Sequence, residues 1–167
     1  ITDRENAHSF FVDKEEGSKG RISNEYFSSI VSVSFSAFDP FNPPLEQSNP
    51  ALGTCYFYIG LKSTSRDDKD SLKKLSDLHN EFIDGISNCF SQVRKKNRWL
   101  KAIRSLESDE NFADMDLCEL AKLSGNQLEK TALRFIKRMS SGHAVVLLTI
   151  TRLVATVEEK TLVLIDE

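Results

Sequence analysis

The segment 144–167, AVVLLTITRLVATVEEKTLVLIDE, constrains the fold more than any other. Residues 144–157 are apolar almost all round, which suits a helix buried on every side. A charged turn follows, and then TLVLIDE (161–167), a continuous apolar run of strand length. Such runs belong to strands covered on both faces, as in parallel α/β sheets. In those sheets ligands bind at the carboxyl ends of the strands. Asp166 and Glu167 stand at that end, so these two carboxylates are the first candidates for chemistry.

The apolar run closing on Asp-Glu matches the Walker B element of P-loop NTPases. There the Asp (here Asp166) holds Mg²⁺, and the Glu (here Glu167) positions and polarises the water that attacks the γ-phosphate. An acidic strand end is also common without any such role. The stretch MSSGHA (139–144) opens the buried helix. Its small residues let backbone approach a ligand, and the free N–H groups of the first turn form an anion site. The plainer alternative is an ordinary Ser N-cap.

Upstream, SSIVSVSFSAFD (28–39) and GTCYFYIGL (53–61) read as strands, and SFFVD (9–13) as a shorter one. A proline-rich loop separates the first two. From Ser71, taken as an N-cap, to Val93, apolar residues recur at spacings of three and four, an amphipathic helix. RKKNR (94–98) breaks that stripe, and a second short helix carries Trp99, Leu100, Ile103 and Leu106. SDENFADMD (108–116) reads as a polar connection. LCELAKL (117–123) is a helical turn or two, and 127–139 is a further helix. KLSGNQ (122–127) imitates MSSGHA, but no strand with Asp-Glu follows it, and Gly125 reads as a turn glycine. The organisation is therefore residues 1–66 in strands and loops, a helical insert at 67–125, and a helix and strand unit at 126–167.

The 167 residues suffice for a real core, and 40% hydrophobic with 28% charged residues is a globular balance. A net charge of −3 argues against a strongly basic nucleic-acid module. RKKNRWLKAIR (94–104) nevertheless has six basic residues around Trp99, a candidate phosphate-backbone contact or else a solvated basic face. Three widely spaced cysteines without a CxxC pair support neither zinc nor a disulfide framework, and a reduced, cytoplasmic setting is expected. His8 and His79 are isolated. No apolar run approaches 18 residues, so no membrane partner is expected. The first residue is Ile1, and both ends read as cut from a longer chain.

Small-residue turn, buried helix, charged turn, strand and Asp-Glu together resemble the ABC-type ATPases. Met139-Ser140-Ser141-Gly142-His143 stands where that superfamily carries its signature motif, usually Leu-Ser-Gly-Gly-Gln/Glu; Ser141 and His143 depart from it. The strings VSFSAFDPF (33–41), YFYIGLK (56–62), RWLKAIRSLESDENFADM (98–115) and 138–167 resemble more narrowly the PtuA-like ATPase subunits of Septu and retron anti-phage systems. The resemblance implies a P-loop NTPase of ABC type, partial here because no G-x-x-x-x-G-K-[ST] occurs. It implies ATP and Mg²⁺ as cofactors, Ser140, Ser141, Gly142 and His143 as a cap on the γ-phosphate of ATP held by a partner copy, Asp166 on the metal and Glu167 as the catalytic residue. It implies a head-to-tail homodimer or larger oligomer that gates an HNH-type nuclease, with a reverse transcriptase and its DNA–RNA product, and nucleic acid, as further partners. Ser36 and Asp39 are candidates for the γ-phosphate sensor. Two alternatives share these motifs: a regulatory nucleotide-binding scaffold with little hydrolysis, and an SMC- or RecF-like DNA-repair ATPase. The lack of sustained heptads in 67–125 counts against SMC.

Overall fold

The computed structural model describes residues 26–37, 42–65 and 71–166. SFFVD, His8, Asp39 and Glu167 lie outside the described residues. The chain is mixed α/β. Three strands, β1 (Ser29–Ser34), β2 (Cys55–Gly60) and β3 (Thr161–Asp166), form a parallel sheet in the order β2-β1-β3. Val33 aligns with Ile59 on one side and Ile165 on the other; Ser34 aligns with Gly60 and Asp166. Among the described residues five α-helices accompany the sheet: α1 (Leu75–Ser91), α2 (Val93–Leu106), the single turn α3 (Glu110–Ala113), α4 (Gly125–Ile136) and α5 (Ser141–Thr156).

Alternation along the strands decides which face is buried. Val31, Val33 and Ile59 form one apolar cluster, against which Phe57, Val163, Leu153 of α5 and Val157, the C-cap of α5, are packed. The rest of α5 turns its apolar surface to the helices. Leu147, Leu148 and Val154 share a core with Phe82, Ile86, Cys89, Trp99, Ile103, Leu128 and Ile136. One helix thus joins both hydrophobic clusters, which is why its sequence is apolar almost all round.

The buried contacts of α5 are specific. Thr151, fully buried, accepts a hydrogen bond from Trp99 Nε1 at 2.9 Å, and its carbonyl accepts from Cys89 Sγ at 3.5 Å. Gly85 of α1 lets the helices approach: a Cβ there would lie 3.1 Å from Thr151 Cγ2. No basic residue stands in the last turn of α5 itself. The missing positive charge comes from α2. Lys95, buried, donates to the Ala155 carbonyl at 2.7 Å and pairs with Glu158 at 2.7 Å; Arg98 donates to the Val157 carbonyl at 3.0 Å. The Lys95 hydrogen bond holds the Glu158 carboxyl below the usual range. Lys96 donates to the Ala121 carbonyl at 2.6 Å. Three of the six basic residues in 94–104 are therefore spent on backbone carbonyls of this same chain. Trp99 packs inside, edge-on to Phe90.

Several boundaries differ from the sequence expectation for identifiable reasons. α1 starts after Lys74, whose backbone N–H donates to Asp77 Oδ2 at 3.1 Å, so Ser71 is not its cap. A break between two helices does occur, but it falls at Gln92, and RKKNR belongs to the opening turns of α2. Residues 108–116 contain α3, because Asp109 accepts from the Asn111 and Phe112 amides. Gly125, left-handed at φ 50°, opens α4 instead of closing the segment before it. The largest departure is β3. It pairs only with β1, and Leu164 and Ile165 are 39% and 60% exposed, so this apolar strand is an edge strand among the described residues. Cover on both faces, expected from its composition, is not found there. His79 is half-buried on α1, its pKa pushed down by burial and then by Lys137. No described helix is long and apolar enough to cross a membrane.

Trp99→Ala is expected to lower unfolding free energy by about 3–5 kcal/mol in denaturant titration. Thr151→Val strands the indole N–H and is expected to cost about 1–3 kcal/mol. Lys95→Met leaves the α5 carbonyls and Glu158 without their donor; it should cost about 1–3 kcal/mol, whereas Lys101→Ser, exposed on the same helix, should stay within about 0.5 kcal/mol. Burial pushes the Cys89 thiol up to about 12, against the opposing pull of Lys95 and Arg98. At pH 8 Cys89 should resist iodoacetamide until the protein unfolds; mass spectrometry of native and urea-treated samples reads this.

Candidate functional site at the strand ends and the α5 turn

Parallel pairing sets Gly60, Ser34 and Asp166 side by side at the carboxyl ends of their strands. From central β1 the chain runs to β2 on one side, and from β2 it crosses to β3 on the other. The crevice between β1 and β3 is thus a point where the strand order reverses, the usual ligand position in such sheets. Asp166 is exposed at that end of the sheet, in register with buried Ser34. Gly60 keeps this end closely packed, since a Cβ on it would collide with Tyr58 Oη and the Ser34 carbonyl oxygen. Among the described residues no group of three or more His, Cys, Asp and Glu side chains is placed to hold a metal.

The second candidate region is the turn before α5. Ser140, Ser141 and Gly142 are exposed, with no heavy atom within 4 Å of a Cβ built on Gly142. Ser140 is the N-cap of α5: its Oγ accepts from the His143 amide at 3.4 Å. The first-turn amides of α5 stay at an open surface, where an N-terminal dipole favours an anion. Ser140 Oγ also lies 2.6 Å from His143 Nδ1. On the other side of the ring, His143 Nε2 is 3.5 Å from Asp109 Oδ1. The Phe112 ring packs edge-on against the imidazole at 5.1 Å between centroids.

Asp109 was hidden in a stretch that reads as polar connection; the signal for it was an Asp one residue before a helical turn. Slight desolvation pushes its carboxyl up. Hydrogen bonds from the Asn111 side chain and from the Asn111 and Phe112 amides, with His143 beside it, outweigh that and hold it below the usual carboxylate range. It is a fixed negative charge facing His143. Four of the sequence-predicted residues, Ser140, Ser141, Gly142 and His143, are therefore together on one turn. Asp166 is on a different element, β3, with α5 and the turn 157–160 between them in the chain.

No protein-family model matches the chain, and no solved structure matches it. The chain is similar to protein ea59 of Escherichia phage lambda, at 47% identity over 188 aligned positions covering 100% of this chain and 34% of that protein. This finding overturns the assignment to the ABC-type ATPases and, within them, to PtuA-like subunits of Septu and retron systems. The similarity that runs the length of the chain is to a phage protein. The chain spans about a third of the length of the curated relative it matches.

Proposed function

We propose that this chain supplies part of a nucleoside-triphosphate hydrolysis site with the architecture of a P-loop NTPase, acting on ATP with Mg²⁺. The observation that carries this is the placement of Asp166: an exposed carboxylate on the reversal point of a parallel sheet, where phosphate ligands and their cations bind. The donor chemistry fits the ion, since Mg²⁺ takes one or two carboxylate oxygens and keeps several waters. Bound there, Mg²⁺ would neutralise charge on the β- and γ-phosphate oxygens. Asp166 would hold it. Glu167, next in the chain, would orient the water whose oxygen attacks γ-phosphorus as the bond to the β-phosphate oxygen breaks, giving ADP and phosphate.

The Ser140–His143 turn serves the same reaction from another copy. Ser140, Ser141 and Gly142 are exposed, so the turn is open to a second copy. A head-to-tail pairing of two copies would lay this turn over a γ-phosphate bound at the partner's Walker-type strand. Charge-assisted hydrogen bonds from Ser140 would then grip it.

In the full-length polypeptide, Asp166→Asn should reduce Mg²⁺-dependent phosphate release at least about 100-fold. Glu167→Gln should retain ATP and accumulate an ATP-bound dimer on size exclusion. Unaltered turnover in both variants would remove these roles.

A further inference from the structure

We infer that His143 is a positioning residue whose ring proton decides whether Ser140 can donate a hydrogen bond to a phosphate, with Asp109 fixing the ring so that this holds. This rests on the capping role proposed for the turn and adds its regulation.

Hydrogen-bond inventory carries the inference. Asp109 is ionised and can only accept. The ring nitrogen facing it, Nε2, is therefore the one that keeps a proton, since a lone pair there would point at a carboxylate 3.5 Å away. In the neutral ring Nδ1 is then a bare acceptor, 2.6 Å from Ser140 Oγ. The hydroxyl proton of Ser140 is drawn into that contact, and Oγ meanwhile accepts from the His143 amide. Ser140 has one proton, so it has nothing left to give an anion. When the ring takes a second proton, Nδ1–H donates to Ser140 Oγ instead. The hydroxyl proton is released to point outward at a phosphate oxygen. No bond to carbon or phosphorus changes; one proton is taken from solvent by Nδ1.

Among the described residues, α3 and the turn itself supply the groups that set this state. From α3 the ring meets the Asp109 carboxylate and the Phe112 ring; from its own turn it meets Ser140. Both α3 groups belong to the helical segment between β2 and α4. Any movement of that segment that withdraws Asp109 would remove the negative charge that favours the protonated ring. Capping of phosphate and seating of α3 are thus coupled, and by linkage each strengthens the other.

The test is isothermal calorimetry of the full-length polypeptide with a non-hydrolysable ATP analogue and Mg²⁺, in buffers of different ionisation enthalpy, from pH 6 to 9. Wild type is expected to take up more protons on binding than His143→Gln does, by as much as one per capped phosphate, with affinity falling as pH rises and the ring loses its proton. His143→Gln should lose that pH dependence. Asp109→Asn keeps a good N-cap for α3 but should move the profile to lower pH, which a purely structural role would not do. Ser140→Ala should weaken binding roughly tenfold or more and abolish the difference in proton uptake. If Ser140→Ala leaves affinity unchanged, the capping role fails and this inference with it. If Ser140→Ala weakens binding but wild type and His143→Gln take up equal numbers of protons, the capping role stands and the inference is overturned.

Discussion

The fixing of α5 is the constraint on which the rest depends. This helix touches the sheet through Leu153 and Val157 and the helical core through Leu147, Leu148 and Val154. Fully buried Thr151 locks it by bonds to Trp99 and Cys89 and by the gap that Gly85 leaves. Lys95 and Arg98 hold its last carbonyls. A helix held this way along its length and at its carboxyl end has two ends with defined positions. One presents Ser140 and His143; the other feeds β3 and places Asp166 on the sheet. The chemistry proposed for both candidate regions is inherited from the rigidity of one element.

The same serine has two demands on it. As N-cap it uses a lone pair of Oγ; as phosphate donor it needs its proton free. These are compatible only if nothing else claims the proton, and His143 does claim it when neutral. An ordinary helix cap and a phosphate cap are therefore not rival descriptions of Ser140. The histidine beside it decides which hydrogen bonds remain available.

What could be read from residues alone followed periodicity. β1, β2 and β3 were legible because runs such as SIVSVS and TLVLID are β-branched and bounded by polar turns. α5 was legible as buried because it lacks a polar face. Two things were not legible. Burial of Lys95 requires knowing that the α5 carbonyls lie beside it, and a local run of basic residues reads as solvated whatever lies across from it. The exposure of Leu164 and Ile165 depends on which neighbours β3 has, which composition does not encode. The Asp109–His143 contact joins residues 34 positions apart, beyond any spacing rule. For the site, the acidic strand end and the small-residue turn were both marked by sequence, but the Asp109 carboxylate beside that turn was not.

Completion of the proposed site by a second copy is tested most directly by complementation. Full-length Ser140→Ala and Asp166→Asn proteins, each expected to be impaired in ATP hydrolysis, are mixed and turnover is measured. In a head-to-tail pair of unlike variants, one site combines the intact Asp166 of one chain with the intact Ser140 of the other. The account predicts that the mixture recovers a substantial fraction of wild-type turnover. A mixture no more active than either variant alone, under conditions where the chains exchange, would contradict it.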